Sequence, residues 1–130
     1  MKTLVIDSSA WLEYAAGGAQ AEAFAPWIES ADPATHYTPT VVLYEVYKRT
    51  KLQFGEQKAL ERISEITSHT TVINLNPTLA ITAAEISMAE RLAFADAIIR
   101  ATAKNAGATI VTADAHFEGK DDVEYISKKA

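Results

Sequence analysis

The sequence has no cysteine, which excludes disulfides, thiolate nucleophiles and cysteine-ligated zinc. It has no apolar run near the roughly 18 residues that a membrane helix needs. A charge at Asp7 interrupts the opening apolar stretch too early for a signal-peptide core, so a soluble cytoplasmic protein with no membrane association is expected. There is no internal repeat, low-complexity tract or linker. Basic residues are in deficit, with Lys and Arg numbering 12 against 17 Asp and Glu, a formal net charge of -5. That argues against a protein that coats nucleic acid, which is usually basic. It does not exclude an enzyme whose acids hold divalent cations, because the cation inverts the field that a phosphate meets. What is present is ordinary globular composition: 130 residues, 48% hydrophobic and 22% charged. One domain over residues 1–130 is expected, large enough to bury roughly two-thirds of its unfolded surface.

Strands and helices alternate. Thr3 to Asp7 and Thr109 to Thr112 are short apolar runs of the kind that fill a central parallel strand. Further strands are expected at His36-Tyr37, Thr71 to Leu75 and Val123 to Ile126. Ser8 or Ser9 caps a helix through Trp11, Leu12 and Tyr14 that ends at Gly17-Gly18, and a second runs from Ala21 to Ser30. Thr38-Pro39 and Asn76-Pro77 both read as a cap followed by proline in the first helical position, opening helices that reach Phe54 and Glu90. Leu60, Ile63 and Ile66 recur at helical spacing over Gln57 to His69, and a last helix covers Phe94 to Asn105 with Gly107 beyond it. The alternation predicts an α/β fold with a mostly parallel sheet of four or five strands.

The acids are informative by position. Asp7 and Asp114 stand at the carboxyl ends of the two apolar strands, where open parallel sheets bind ligands. Asp96 and Glu45 interrupt apolar helical stretches, at positions where a sequence chosen only for packing prefers Leu or Ala. Two unit charges ~4 Å apart repel by about 4 kcal/mol at an effective dielectric near 20. Converging carboxylates therefore either share protons or surround a cation. All-oxygen donors favour Mg2+ or Mn2+, the equipment for water attack on a phosphodiester.

Four segments, in order, resemble the motifs of PIN-domain ribonucleases: Val5-Ile6-Asp7-Ser8-Ser9-Ala10, Val41-Val42-Leu43-Tyr44-Glu45-Val46, Phe94-Ala95-Asp96-Ala97-Ile98-Ile99, and Ile110-Val111-Thr112-Ala113-Asp114-Ala115-His116-Phe117. The compact VapC-type toxins of toxin–antitoxin pairs are the branch most similar. The resemblance implies a three-layer α/β/α sandwich and an Mg2+- or Mn2+-dependent endoribonuclease. It further implies a homodimer held in check by a cognate antitoxin. Asp7 and Asp96 would be the principal metal ligands and Glu45 and Asp114 would complete the cluster, directly or through water. Ser8 and Thr112 would orient them through hydroxyl hydrogen bonds. One departure is the short segment Glu85 to Ala93, which lacks the glycine that commonly ends the preceding helix.

Each acid also has a plain structural reading. Asp7 can cap a helix, Asp96 suits a first helical turn and can pair with Arg100, Glu45 can pair with Arg49, and Asp114 can be a turn residue. Arg49, Lys48, Arg100 and His116 are candidate substrate contacts, Arg49 foremost because its i+4 spacing puts it on the Glu45 side. Trp11, Tyr14, Phe24 and Trp27 read as core or interface residues. Alternatives to the toxin are a stand-alone RNA-processing nuclease and a non-catalytic module that binds RNA or protein. An aspartyl-phosphate phosphatase is disfavoured because Ser9 stands where its second Asp belongs and no lysine follows the Thr109–Thr112 strand.

Overall fold

The computed structural model describes residues 2–128. In chain order the elements are β1 (Leu4–Ile6), α1 (Ser8–Ala15), α2 (Ala21–Glu29), β2 (His36–Pro39), α3 (Thr40–Phe54), α4 (Glu56–His69), β3 (Thr71–Ile73), α5 (Pro77–Glu90), α6 (Phe94–Ala106), β4 (Thr109–Thr112), a 3-10 turn (Ala115–Phe117) and β5 (Val123–Tyr125). The five strands form one sheet in the order β3-β2-β1-β4-β5. Every neighbouring pair is parallel, with Leu4 opposite both His36 and Thr109. The sheet is therefore wholly parallel. Leu4, Val5 and Ile6 are all buried although their side chains alternate in direction, so helices cover both faces of the sheet. No helix among the described residues is long and apolar enough to cross a membrane.

The strand order places the chemistry. From β1 the chain moves outward on one side to β2 and β3, then returns to add β4 on the other side. The crevice beyond the carboxyl ends of β1 and β4 is thus the topological switch point, where a doubly wound sheet binds ligands.

Several local expectations change. Thr38 does not cap α3. Its β-branched side chain lies in β2, buried, with Oγ1 2.7 Å from Thr70 Oγ1, and Pro39 ends the strand opposite Ile73. Proline is tolerated there because a strand terminus needs no further amide donor. Asn76-Pro77 does open its helix as expected, Asn76 Oδ1 accepting from the Leu79 amide at 2.8 Å. Leu60 is exposed, because α4 turns Ala59, Ile63 and Ile66 inward instead. Helix α5 ends without glycine: Arg91 itself adopts the left-handed conformation at φ 57°, ψ 43°, which costs an L residue roughly 1–2 kcal/mol. Ser87 Oγ donates to the Leu92 carbonyl at 2.7 Å and Leu92 is buried, and these contacts hold the short connection into α6.

Candidate metal centre

Asp7 is the hub. It follows the last residue of β1, where its amide still donates to the Val111 carbonyl at 2.9 Å. It is also the N-cap of α1; Ser8 and Ser9 lie inside the helix rather than capping it. The carboxylate is almost fully buried, 2% exposed. Oδ1 accepts from the Ser8 amide at 2.8 Å and, at 3.4 Å, from the Ser8 hydroxyl. Oδ2 accepts from Thr112 Oγ1 at 2.7 Å and from Ser9 Oγ at 2.8 Å. Thr112, ending β4, also takes the Asp114 amide at 2.9 Å, and Ser8 Oγ donates to Glu45 Oε1 at 2.9 Å. The two hydroxyls expected to orient the acids thus touch them. Ser9 adds a third that motif reading left as a cap: it binds Asp7 and accepts from the Ala113 amide at 2.9 Å, tying the start of α1 to the exit of β4.

Asp7, Glu45, Asp96 and Asp114 line one cleft of about 260 Å3 at the switch point, together with Arg49 and Lys128. Burial, above all, pushes the Asp7 carboxyl up to about 6 against its hydroxyl donors, with Glu45 and Asp96 adding like charge. Burial and then the Asp114 charge also raise Asp96. His116 lies between two acids, Nδ1 3.0 Å from Asp96 Oδ2 and 3.3 Å from Asp114 Oδ1. Its hydrogen bond to Asp96, then the two carboxylate charges, raise its pKa. When protonated, the ring is a counter-ion supplied by the chain itself.

These residues fit a hard dication. The ligand atoms of Asp96, Asp114 and His116 lie within 4.8 Å of one another. Among the described residues Asp96 Oδ1, Asp114 Oδ2 and Glu45 Oε2 accept no hydrogen bond, so their lone pairs are open to a cation. Burial first, and then like charge, raises the carboxyl pKa values of Asp7 and Asp96, a cost that a bound cation would offset. Oxygen donors with open lone pairs suit Mg2+ or Mn2+.

The candidate substrate contacts divide. Arg49 lines the cleft and makes no ion pair with Glu45, whose bond is to Ser8. Lys48 stands outside it, its Nζ 5.6 Å from the Tyr44 ring. Arg100 does not line the cleft, nor does it pair with Asp96. It is buried at 3% exposure, bound to Glu90 and to both the carboxylate and, at 2.6 Å, the carbonyl of Asp121. Its guanidinium holds the Asp121 carboxyl below its usual range. We expect Arg100→Ala to lower stability by about 2–3 kcal/mol, through lost packing and partly buried pairs, while RNA affinity stays within about twofold; urea unfolding beside RNA titration checks both. Lys128 belongs to no motif. The signal that could have found it is topological: β5 runs parallel to β4, so the chain leaving β5 emerges at the same carboxyl edge as the acids.

The sequence matches the PIN domain family over residues 4–123. No curated protein matches it by sequence. Among solved structures it is similar to a toxin–antitoxin complex from Klebsiella pneumoniae, at 21% identity and TM-score 0.75, covering 95% of this chain and 100% of that one. VapC20 of Mycobacterium tuberculosis, a toxin that cleaves the sarcin–ricin loop, gives 20% identity and TM-score 0.78 over 92% and 95% of the two chains. DNA-bound VapBC from Salmonella typhimurium gives 13% and 0.71 over 98% and 99%. Likeness at these identities speaks for the fold.

Proposed function

Because the chain belongs to the PIN-domain family, we propose that it is a divalent-metal-dependent endoribonuclease and the toxin of a toxin–antitoxin pair. The observation that carries this reading is the gathering of Asp7, Glu45, Asp96 and Asp114, from four separate elements, around one cleft at the sheet's switch point. Asp7 and Asp96 would hold Mg2+ or Mn2+, with Glu45 and Asp114 completing the set. When bound, the cation supplies charge stabilisation on the phosphate and a water acidic enough to attack near neutral pH.

The chain's own residues do the positioning. Ser9 and Thr112 fix Asp7 Oδ2 while the Ser8 amide fixes Oδ1, so the carboxylate is held in one orientation at the cleft. Ser8 binds Asp7 and Glu45 together and sets their spacing. Arg49, on the cleft wall, offers a guanidinium to a non-bridging phosphate oxygen. His116, when protonated, sets positive charge beside Asp96 and Asp114. The test is cleavage of a mixed pool of structured RNAs with Mn2+, with Mg2+ and with EDTA. Cleavage only in the metal arms is expected; RNA left intact in every arm would favour a non-catalytic binding module.

Two surfaces support the partners of this reading. Helix α5 is apolar around most of its circumference, yet Ile81 and Met88 are exposed at 67% and 70%, and neighbouring Phe94 at 74%. A helix apolar all round belongs in an interior, and a second copy of the chain would provide one. Phe94→Glu is expected to shift the protein from dimer to monomer in sedimentation; a wild type that sediments as a monomer would refute the interface. Between α1, α3 and α4 a cleft of about 400 Å3 is lined by Trp11, Tyr14, Val46, Arg62 and Ile66. Trp11 Nε1 is buried with no hydrogen-bond partner among the described residues, and the mixed apolar and charged lining of the cleft suits an amphipathic segment of an antitoxin. Copurification with the product of an adjacent gene, and loss of cleavage in that complex, would test it.

A further inference from the structure

The acidic cleft does not end at the acids. It opens into a second hollow of about 210 Å3, and the two share Ser9, Arg49 and Lys128 as a common wall. Beyond that wall stand Gln53, Phe54 and Arg62. Helix α3 supplies the floor: Glu45, Arg49 and Gln53 recur every fourth residue, so they lie in one row along a helix face, about 6 Å apart. The row leads from a carboxylate of the candidate centre to a cation and then to an amide. At the end of the helix comes Phe54, 47% exposed.

We propose that this continuous cleft is the track for single-stranded RNA on one side of the cut, with Arg49 and Lys128 holding a flanking phosphate and Phe54 stacking the neighbouring unpaired base. The inference rests on the nuclease reading and adds to it a subsite and a strand path. Three observations carry it. Arg49 and Lys128 make no ion pair or hydrogen bond among the described residues, although acids line the same cleft and the chain carries a net charge of -5. Cations held apart from nearby carboxylates are available to an incoming anion. Phe54 is backed by a cation, the Arg62 guanidinium 5.0 Å from its ring centroid. Arg62 is itself anchored by bonds of 3.2 Å to Thr50 Oγ1 and 3.4 Å to the Ala15 carbonyl. A ring backed in this way is a stacking platform. Stacking needs a base whose face is free, so the track selects unpaired RNA over duplex.

Removing one stacked base contact costs roughly 1–3 kcal/mol, which at ~1.4 kcal/mol per factor of ten predicts about a tenfold weaker complex. The test measures binding of a labelled single-stranded RNA, and of the same sequence as a blunt duplex, to full-length protein in Mg2+. Asp96→Asn is the background, so that no cleavage intervenes. Adding Phe54→Ala should weaken single-strand binding about tenfold and leave duplex binding unchanged, while Phe54→Trp retains it. Adding Lys128→Ala should weaken single-strand binding and reduce the slope of log affinity against log salt by about 0.7, one phosphate contact. Both substitutions lie on exposed side chains, and equal melting temperatures would show that the fold survives. Single-strand affinities equal to the background in both variants would overturn the track, as would an equal loss on duplex or a background protein that binds no RNA. The nuclease reading fails on a different result, a wild type that cuts no RNA with Mn2+.

Discussion

Asp7→Asn is expected to fold at least as stably as the parent at pH 8 without metal, and to cleave RNA more slowly by about a hundredfold or more. The two halves of that result share a cause. At pH 8 the parent holds an ionised, buried carboxylate whose pKa has been pushed up to about 6 from 3.8. About two units at ~1.36 kcal/mol each amount to a cost of about 3 kcal/mol. Asparagine removes that charge and keeps an oxygen for the Ser8 amide. Its NH2 can donate to the Ser9 and Thr112 hydroxyls, which reverse their roles. The same neutral amide is a poor ligand for a hard dication, so activity falls with metal affinity. Asp96→Asn should show the same loss of cleavage with a smaller gain in stability, because Asp96 is less buried than Asp7. Urea unfolding without metal, paired with initial rates in Mn2+, separates the two effects. A less active but also markedly less stable Asp7→Asn would mean that the carboxylate is there to hold the fold.

The second large effect is in pH. Below about pH 3.8 Asp7 is protonated folded and unfolded, and contributes nothing. Between 3.8 and about 6 the unfolded chain releases this proton first, so stability falls as pH rises. Above about 6 both states are ionised and the deficit of about 3 kcal/mol persists. Asp96, also raised, adds in the same direction. His116 does too: its raised pKa gives stability present below the unfolded value and lost as pH climbs through the folded one. The metal-free protein should therefore lose stability from pH 4 to pH 8. Mn2+ should restore the loss at pH 8 and give little at pH 4, where protons occupy its ligands. Thermal melts across that range, with EDTA and with Mn2+, check this. A Mn2+ increment independent of pH would contradict it.

Much of this was legible because it is local. The runs Thr3 to Asp7 and Thr109 to Thr112 are apolar and each leads to an acid at its carboxyl end, Asp7 and Asp114, so strand and site announced themselves together. Asn76-Pro77 is read correctly because cap and proline act on adjacent peptide units. Thr38-Pro39 carries the same local signal and does something else, since pairing with Thr70 and Ile73, more than thirty residues away, decides it. Arg100 misleads for the same reason. An arginine four residues after an aspartate suggests a helical pair, but its partners are Glu90 and Asp121, and only the packing of α6 brings them near. Arg91 shows that a missing glycine need not mean a missing turn, because Ser87 and buried Leu92 hold the left-handed residue in place. Ser9 was hidden by its suitability as a cap, and Lys128 by having no neighbours in sequence that mark a site.

The most direct measurement is the anomalous scattering of Mn2+ in crystals of the full chain grown near pH 8. The account predicts a peak within about 2–2.5 Å of oxygens from Asp96 and Asp7, with the His116 ring no longer bridging Asp96 and Asp114. Well-ordered acids in that cleft with no peak between them, at Mn2+ concentrations that support RNA cleavage, would contradict it.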